Sequence, residues 1–321
     1  MINKIERFCA ALRNAEFGGS AEEVDFAIQA LNEQLAAESF ETYTQFYERT
    51  VFFLDQILDA CGSVLPMINL YIRANRALEK TPETYGPEQA RKSFLAYLND
   101  YSAKQATALK TIGAIGARMA PVEGKISTFS TSGTVEEIYR QALAAGKKLS
   151  AAVFEARPNC EGRRTFETLS AMGVKTVLGV DALLARLIPG SDFFVIGVDA
   201  VRPTGEVYAK SGSLLAAMVC KAHGIPFYVA ADTSKFDPMS TLGYQMKDSS
   251  RPAKEVYDKP LPENGTVVNT SFELIQPEYV AGIITEAGLV APTAFAAVAG
   301  CEALSERIQE KLAEWLQRSR F

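Results

Sequence analysis

One segment, Asp192 to Pro238, limits the fold of this chain more than any other. It begins with an apolar run, Phe193 to Val198, that is too short for a helix and rich in aromatic and β-branched residues, which predicts a buried strand. An apolar helix, Leu214 to Ala222, follows, and Gly224-Ile225-Pro226 ends it before a second buried strand, Phe227 to Ala231. Because a strand-helix-strand unit forces parallel pairing with a right-handed crossover, the segment predicts an α/β fold.

The same alternation of strands and helices extends over the carboxyl-terminal part of the chain. From Lys125 onward, short β-rich runs alternate with helical runs. We expect further strands at Ile126 to Ser130, Leu149 to Glu155, Val174 to Val180 and Thr266 to Val268. The segment Tyr244 to Asn264, with prolines and mixed charges, is typical of a long surface loop or lid. This pattern predicts a doubly wound parallel sheet of the Rossmann-like class.

The amino-terminal part has a different periodicity. Ile5, Phe8, Cys9 and Leu12 fall at the i, i+3, i+4, i+7 spacing of one helix face, and similar helical blocks continue to about residue 115. A length of 321 residues with 48% hydrophobic content is sufficient for two domains. We therefore predict an all-helical domain over residues 1–118 and a Rossmann-like α/β ligand-binding domain over residues 119–321.

Composition excludes several classes of protein. A net charge of -5 and a pI near 5.3 argue against direct binding of nucleic acid. Five scattered cysteines without a C-x-x-C pair are typical of reduced thiols, and the single histidine, His223, leaves no histidine cluster for zinc. No apolar run reaches the roughly 18 residues that span a bilayer. We expect a cytoplasmic protein without a metal, a cofactor or a membrane contact.

The first candidate site is Ser130-Thr131-Ser132-Gly133-Thr134, which follows a predicted strand and opens a helix. Hydroxyls and helix-start amides are good donors to phosphate oxygens, and the glycine lets the backbone approach closely. The segment is neither a Walker A loop nor a G-x-G-x-x-G fingerprint, so classical ATP or NAD binding is not supported. The alternative is a plain helix cap that is rich in hydroxyl groups.

The second candidate site is the loop from Glu155 to Arg164, which also follows a predicted strand. Arg157 can hold a phosphate through two hydrogen bonds, and Arg163 and Arg164 add positive charge. Solvated loop arginines are the alternative. Cys160 is a candidate reactive thiol beside these cations, although a lone cysteine without a histidine base is usually a bystander.

The third candidate site lies in the opening segment. Asp199 follows a strand and can act as an acid/base group or bind sugar hydroxyls, and Lys210 and Lys235 can neutralise a phosphate. Gly212 and Ser213 open a helix whose amides suit an anion. The alternative is a turn-capping aspartate with two exposed lysines. Because parallel strands end at one edge of a sheet, we expect the three candidate sites to converge.

A series of motifs extends from about residue 105 to about residue 300. In order, they are Glu155-Ala-Arg157-Pro158 with Gly162, Gly197-Val-Asp199-Ala-Val201 with Gly205, Ala209-Lys210-Ser-Gly212-Ser213, Pro226-Phe-Tyr-Val229, Lys235-Phe236, Asn269-Thr-Ser-Phe272-Glu273, and Ile284-Thr285-Glu286-Ala-Gly288 with Pro292. Together they resemble the family of the alpha, beta and delta regulatory subunits of initiation factor 2B. That family also contains the isomerases of ribose-1,5-bisphosphate and methylthioribose-1-phosphate.

This resemblance implies a Rossmann-like carboxyl domain, dimers or larger homo-oligomers, and a pocket for a phosphorylated sugar or nucleotide at the strand tips. In the isomerase members, a catalytic cysteine follows the first strand of this domain and works with the aspartate that matches Asp199. Here Ser130 stands at the position of the cysteine, and Ala209 replaces the asparagine before Lys210. Because a serine hydroxyl titrates far above neutrality, it needs an activating partner for acid/base work.

We therefore predict an initiation-factor-2B-like protein that binds a phosphorylated sugar or nucleotide in a regulatory or translation-initiation role, which brings in a GTPase as a partner. Ser130, Ser132, Gly133 and Thr134 would hold the phosphate. The first alternative is an aldose-ketose isomerase of a sugar phosphate, with Asp199 as the acid/base group and Ser130 or Cys160 as its partner. The second is a structural subunit with a vestigial pocket.

Overall fold

The computed structural model describes residues 3–14, 16–17, 19–62, 64–242, 251–300 and 304–318. The chain forms two compact units. One comprises Met1–Ala106 together with Glu302–Phe321, and the other comprises Thr107–Cys301. The division that the sequence places after residue 118 stays a prediction.

The first unit is helical. Its helices, with the one that continues into the second unit, are α1 (Lys4–Arg13), α2 (Ser20–Ala37), α3 (Tyr43–Ala60), α4 (Leu65–Glu79), α5 (Pro87–Met119) and α11 (Glu306–Arg318). α11 is tied to α4 and α3 by ion pairs of 3.0 Å each, Arg307 to Glu79 and Lys311 to Asp55. Within the described ranges, no helix is both long and apolar enough to cross a membrane.

The second unit contains a seven-stranded sheet in the order β10-β9-β7-β4-β1-β2-β3, in which β10 alone is antiparallel to its neighbour. Its strands are β1 (Glu123–Phe129), β2 (Lys148–Phe154), β3 (Lys175–Gly179), β4 (Phe193–Gly197), β7 (Phe227–Ala230), β9 (Gly282–Thr285) and β10 (Gly288–Val290). The helices of this unit are α6 (Gly133–Ala144), α7 (Gly162–Ala171), α8 (Leu184–Leu187), α9 (Ser213–His223) and α10 (Phe295–Ala299). The predicted Rossmann-like α/β class is confirmed.

Both faces of the central strands of this sheet are buried, which is why these strands read as apolar runs. Along β4, Phe193 and Val195 face one core and Phe194 and Ile196 face the other. On the second face, the ring of Phe194 stacks with that of Phe227 at 5.4 Å between centroids. This two-sided burial fixes the sheet and leaves the loops at the strand ends to carry polar groups.

A smaller antiparallel sheet in the order β5-β6-β8 was not predicted from the sequence. It consists of β5 (Ala200–Val201), β6 (Val207–Lys210) and β8 (Phe272–Ile275). The strand expected at Thr266 to Val268 is wrong, since these residues precede β8 without strand structure and Val268 is 80% exposed. In the predicted loop Tyr244 to Asn264, residues 244–250 lie outside the described residues, and residues 251–264 form coil, turns and a short 3-10 helix, Ala253–Glu255.

Candidate functional site

The strand order places two candidate residues at the point where the direction of winding reverses. β1 pairs with β2 on one side and with β4 on the other. The strands β2 and β3 extend the sheet in one direction and β4, β7 and β9 extend it in the other, so the crevice between β1 and β4 is the topological switch point. Ser130 directly follows β1, and Asp199 lies two residues beyond the end of β4. In open α/β sheets, ligands bind outside the carboxyl ends of the strands at this position.

The loops after β1 and β4 are in direct contact. A Cβ added at Gly197 would lie 2.3 Å from the Oγ of Ser132, so the hydroxyl packs against the bare backbone of the glycine. The backbone N–H of Asp199 donates to the carbonyl of Tyr208 at 2.9 Å, which anchors its loop to β6. These contacts bring the loop of Asp199 beside the loop of Ser130.

Ser130 has an unusual backbone conformation. Its φ is +63°, and the residue is 5% exposed. The left-handed region costs a residue with a Cβ roughly 1–2 kcal/mol, so the surrounding structure holds Ser130 there. Its hydroxyl donates to Oε2 of Glu161 at 3.0 Å, so a carboxylate is the partner of this serine.

Glu161 in turn is paired with Lys210. The Nζ of Lys210, at the end of β6, donates to Oε1 of Glu161 at 2.9 Å and also lies 5.0 Å from the ring centroid of Phe272. Burial raises the pKa of Glu161, but the charge of Lys210 and the hydrogen bonds from Lys210, Ser130 and Asn159 outweigh it, and the pKa ends below its usual range. Ser130, Glu161 and Lys210 thus form a continuous chain with an ionised carboxylate at its centre, which we call the Ser-Glu-Lys chain.

The loop after β2 is held in a tight conformation by neighbouring groups. The carboxylate of Asp181 accepts the backbone N–H groups of Ala156 at 2.9 Å and Arg157 at 2.7 Å. A Cβ at Gly162 would lie 1.9 Å from the carbonyl oxygen of Phe154, so only glycine allows α7 to start this close to β2. The loop that carries Glu161 is therefore rigidly placed.

Left-handed residues other than glycine occur at three places in the described part of the chain: Ser130, Ala156 (φ +58°) and Cys160 (φ +56°). All three lie in the loops after β1 and β2. Strained backbone of this kind concentrates at ligand and active sites, so its position here supports a site at this edge of the sheet.

The cations and the thiol of this second loop differ in their surroundings. Arg157 is exposed, and its Nη1 lies 4.0 Å from the Sγ of Cys160. Arg163 is exposed but pairs with Glu155 at 3.1 Å. Cys160 is half-buried and its Sγ also lies 3.8 Å from Oε2 of Glu155. Arg157 is thus placed to meet a ligand, while the thiol of Cys160 lies between this cation and the carboxylate of Glu155.

The hydroxyl of Ser132 caps the amino end of α6, and the carboxylate of Glu136 lies in the first turn of this helix. The Oγ of Ser132 accepts the N–H of Val135 at 3.4 Å, and the Oγ1 of Thr131 accepts the hydroxyl of Thr165 at 3.2 Å. Gly133 is exposed, and Thr134 is half-buried in the first turn. This helix start keeps the features that suit an anion.

The amino end of α9 already holds an anion of the protein itself. Oε1 of Glu273 accepts the N–H groups of Gly212 at 2.7 Å and Leu214 at 2.8 Å. Ser213 between them is 1% exposed. The amide of Gly212, which the sequence assigned to a ligand anion, is therefore bonded to Glu273, as is that of Leu214.

Lys235 ends the 3-10 helix Thr233–Lys235 on the loop after β7. The first residue of this helix, Thr233, donates its N–H to the carboxylate of Glu286 at 3.1 Å. In the described ranges, no group of three histidine, cysteine, aspartate or glutamate residues is arranged to hold a metal ion.

Three acidic residues of the site were not assigned a role from the sequence: Glu161, Asp181 and Glu273. Two of them carried a signal, because Glu161 directly precedes Gly162 and Glu273 ends the motif Asn269-Thr-Ser-Phe272-Glu273. Asp181 follows β3 and has no motif around it. Each is a carboxylate that accepts hydrogen bonds from a neighbouring loop.

Comparison with known proteins gives a consistent result. A model of the initiation factor 2 subunit family matches residues 17–292. A ribose 1,5-bisphosphate isomerase of Pyrococcus furiosus is 26% identical over 302 residues, 92% of each chain. A methylthioribose-1-phosphate isomerase of Desulforudis audaxviator is 29% identical over 241 residues, 70% of this chain and 69% of the relative. The crystal structure of a translation initiation factor eIF-2B of Pyrococcus horikoshii has the same fold, with a TM-score of 0.75 and 24% identity, covering 91% of this chain and 98% of that one.

Proposed function

The chain belongs to the initiation factor 2 subunit family, and on that premise we propose that it is an aldose-ketose isomerase that acts on a sugar phosphate. This reverses the order of the two main hypotheses from the sequence. The relatives that match this chain over most of its length include proteins named as isomerases of sugar phosphates. The family alone does not decide the activity, so the proposal depends on the geometry of the site.

The observation that carries the proposal is the Ser-Glu-Lys chain at the crevice between β1 and β4. The resemblance puts the catalytic thiol of the isomerases at the position of Ser130. A serine there lacks the acidity of a thiol, but the carboxylate of Glu161 accepts its hydrogen bond at 3.0 Å. The serine therefore has the polar partner that a hydroxyl needs to take part in proton transfer.

In the proposed reaction, Asp199 takes the proton from C2 of the open-chain aldose. The electrons of that C–H bond form a C1–C2 double bond, and the carbonyl oxygen at C1 takes up the negative charge. The ammonium of Lys210, which is paired with Glu161, donates a hydrogen bond to this oxygen as its charge develops. Ser130 then gives its hydroxyl proton to the oxygen at C1 and takes the proton of the C2 hydroxyl, while Asp199 returns its proton to C1. Protons and electrons balance, and the product is the ketose.

The phosphate of the substrate lies in this proposal at the amino end of α6. The amides of Gly133 and Thr134 and the hydroxyl of Ser132 surround it, and the exposed guanidinium of Arg157 adds a positive charge. Lys235 and the amides at the start of α9 have no part in this arrangement.

The test is NMR of the purified protein with a panel of pentose and hexose aldose phosphates in D2O. We expect conversion to the ketose with deuterium at C1, because proton transfer through Asp199 exchanges with solvent and a hydride shift does not. Asp199→Asn should lower kcat by roughly 10²–10⁴-fold. Asp258→Asn, an exposed aspartate outside the site, is the matched control and should leave kcat unchanged.

A second candidate function is regulatory binding without turnover, and one observation favours it. The pKa of Glu161 lies below its usual range, and a carboxylate with a low pKa is a weak base for the serine. Binding of a sugar phosphate or nucleoside monophosphate in calorimetry, with no conversion of any aldose phosphate by NMR, would establish this function in place of isomerisation. Homo-oligomers and a GTPase partner belong to this second proposal, and light scattering tests the first of them.

A further inference from the structure

The Ser-Glu-Lys chain has a feature that the isomerase proposal does not require. Glu161 places a carboxylate within hydrogen-bond distance of both Ser130 and Lys210. The side chains of Lys210 and Glu161 are 19% and 31% exposed, so the pair is largely removed from water and only weakly screened. The ammonium of Lys210 is thus already neutralised by a residue of the protein.

Arg251, a second cation that interacts electrostatically with Glu161, is also paired with a carboxylate. The Arg251 guanidinium forms two hydrogen bonds with the carboxylate of Glu255, at 2.9 and 2.7 Å. The side-chain amide of Asn269 donates to that carboxylate at 3.0 Å. The backbone carbonyl of Asn269 accepts the backbone N–H of Arg251 at 2.8 Å. The positive charge of Arg251 is therefore already matched by a carboxylate of its own segment.

Two neutral side chains also donate hydrogen bonds to the carboxylate of Glu161. Asn159 donates its amide to Oε1 of Glu161 at 3.4 Å, and Ser130 donates its hydroxyl to Oε2. Glu155, on the same loop, is paired with Arg163. A phosphate that entered between Ser130 and Lys210 would meet the carboxylate of Glu161, whose like charge repels it, and the adjacent ammonium of Lys210 is already paired with that carboxylate.

A hydroxyl or carbonyl group suits the same position well. The carboxylate of Glu161 can accept a hydrogen bond from a sugar hydroxyl, and the ammonium of Lys210 can donate one to a carbonyl oxygen. A polar but uncharged group would therefore replace the present hydrogen bonds without leaving a like charge beside the carboxylate.

We infer that Glu161 is a specificity-determining residue. Its carboxylate makes the position between Ser130 and Lys210 receive the unphosphorylated, hydroxylated end of an aldose and reject a phosphate. The substrate class is then an aldose with a single phosphate at the far end and a free C1. The inference rests on the proposed isomerase function only in treating this aldose as a substrate. The charge selection itself can be measured by binding alone.

The test is calorimetric titration with three probes: inorganic phosphate, ribose 5-phosphate and ribose 1,5-bisphosphate. The wild-type protein should bind ribose 5-phosphate at least as tightly as the bisphosphate. Glu161→Gln keeps the size and one accepting oxygen but removes the charge, so it should bind inorganic phosphate and the bisphosphate about tenfold tighter or more. Glu167→Gln removes an exposed carboxylate from α7, the helix that follows Glu161, without freeing Lys210 and should change these affinities less than about twofold.

Glu161→Asp keeps the charge and provides a second variant if Glu161→Gln does not fold, as judged by thermal unfolding. It should continue to reject inorganic phosphate. A wild-type protein that binds the bisphosphate tenfold tighter than ribose 5-phosphate, with no gain in Glu161→Gln, would overturn the inference. If the predicted binding pattern holds but no variant converts ribose 5-phosphate, charge selection by Glu161 stands and the isomerase proposal fails for that sugar.

Discussion

The amino ends of helices α6 and α9 look alike in sequence and differ in the structure. Both follow a strand, and both start with serine and glycine. The start of α9 bonds Glu273, a carboxylate of the protein, whereas the start of α6 is capped by the neutral hydroxyl of Ser132. A helix start that holds its own anion is a structural joint, and one that is capped by a hydroxyl can still accept an anionic ligand.

The largest effect should come from Gly212→Ala at the start of α9. Gly212 has a φ of +103°, and an added Cβ would lie 2.5 Å from the buried ring of Phe129. Strain and overpacking together should lower the free energy of unfolding by about 3 kcal/mol or more, measured by urea unfolding. Gly224→Ala, at the other end of α9, is the control, since its φ is +66° but its Cβ would meet open space. It should cost only about 1 kcal/mol. Equal losses would mean that the contact with Phe129 is not tight.

Glu273→Ala should have the next largest effect. It leaves the N–H groups of Gly212 and Leu214 without the carboxylate, which should cost about 2–4 kcal/mol of unfolding free energy. The exposed Glu278 offers a control, and Glu278→Ala should stay within about 0.5 kcal/mol of the wild type. If inorganic phosphate restored the stability of Glu273→Ala, the start of α9 could also accept an external anion. The two helix starts would then differ only because Glu273 occupies that of α9 in the wild-type protein.

Gly197→Ala should weaken the start of α6 through its neighbour. The new Cβ would lie 2.3 Å from the Oγ and 2.8 Å from the Cβ of Ser132. Rotation of the serine side chain relieves only the first contact, so the two loops must also shift, and we expect a loss of about 1–2 kcal/mol. Sugar phosphate binding, measured by calorimetry, should fall by about tenfold or more because the loops after β1 and β4 separate. Gly133→Ala adds a Cβ in open space at the same helix start and should leave the unfolding free energy within about 0.5 kcal/mol.

The smallest effect on stability should come from Ser132→Ala. It removes the hydroxyl that caps α6, which costs typically about 1 kcal/mol in urea unfolding. Ser132→Thr keeps a capping hydroxyl and should recover most of that loss. If Ser132→Ala lost as much stability as Glu273→Ala, the two helix starts would be equivalent and the comparison would fail.

The positions of Ser130 and Asp199 could be predicted because they follow from periodicity. Apolar runs locate the buried strands, alternation with helices makes them parallel, and parallel strands end at one edge. The residue after each run is then at the crevice without any knowledge of side-chain contacts. The same reasoning placed Lys210, although it did not reveal that Lys210 belongs to a strand.

The partners of these residues could not be predicted in this way. Glu161 and Lys210 are 49 residues apart, and their ion pair depends on how a loop after β2 and the strand β6 meet in space. β6 pairs with β8 over a similar separation, with Lys210 opposite Phe272, and strands of four residues leave no clear alternation. The run Thr266 to Val268 shows the converse error, since β-branched residues without a partner strand remain coil.

The helical unit is built from two separate stretches of the chain, which has a consequence for the order in which its contacts can form during synthesis. This unit needs residues 302–321, which a ribosome adds only after the whole of Thr107–Cys301. Arg307 and Lys311 cannot reach Glu79 and Asp55 before then. During synthesis, all residues of the α/β unit are therefore made before the helical unit can gain the ion pairs of α11.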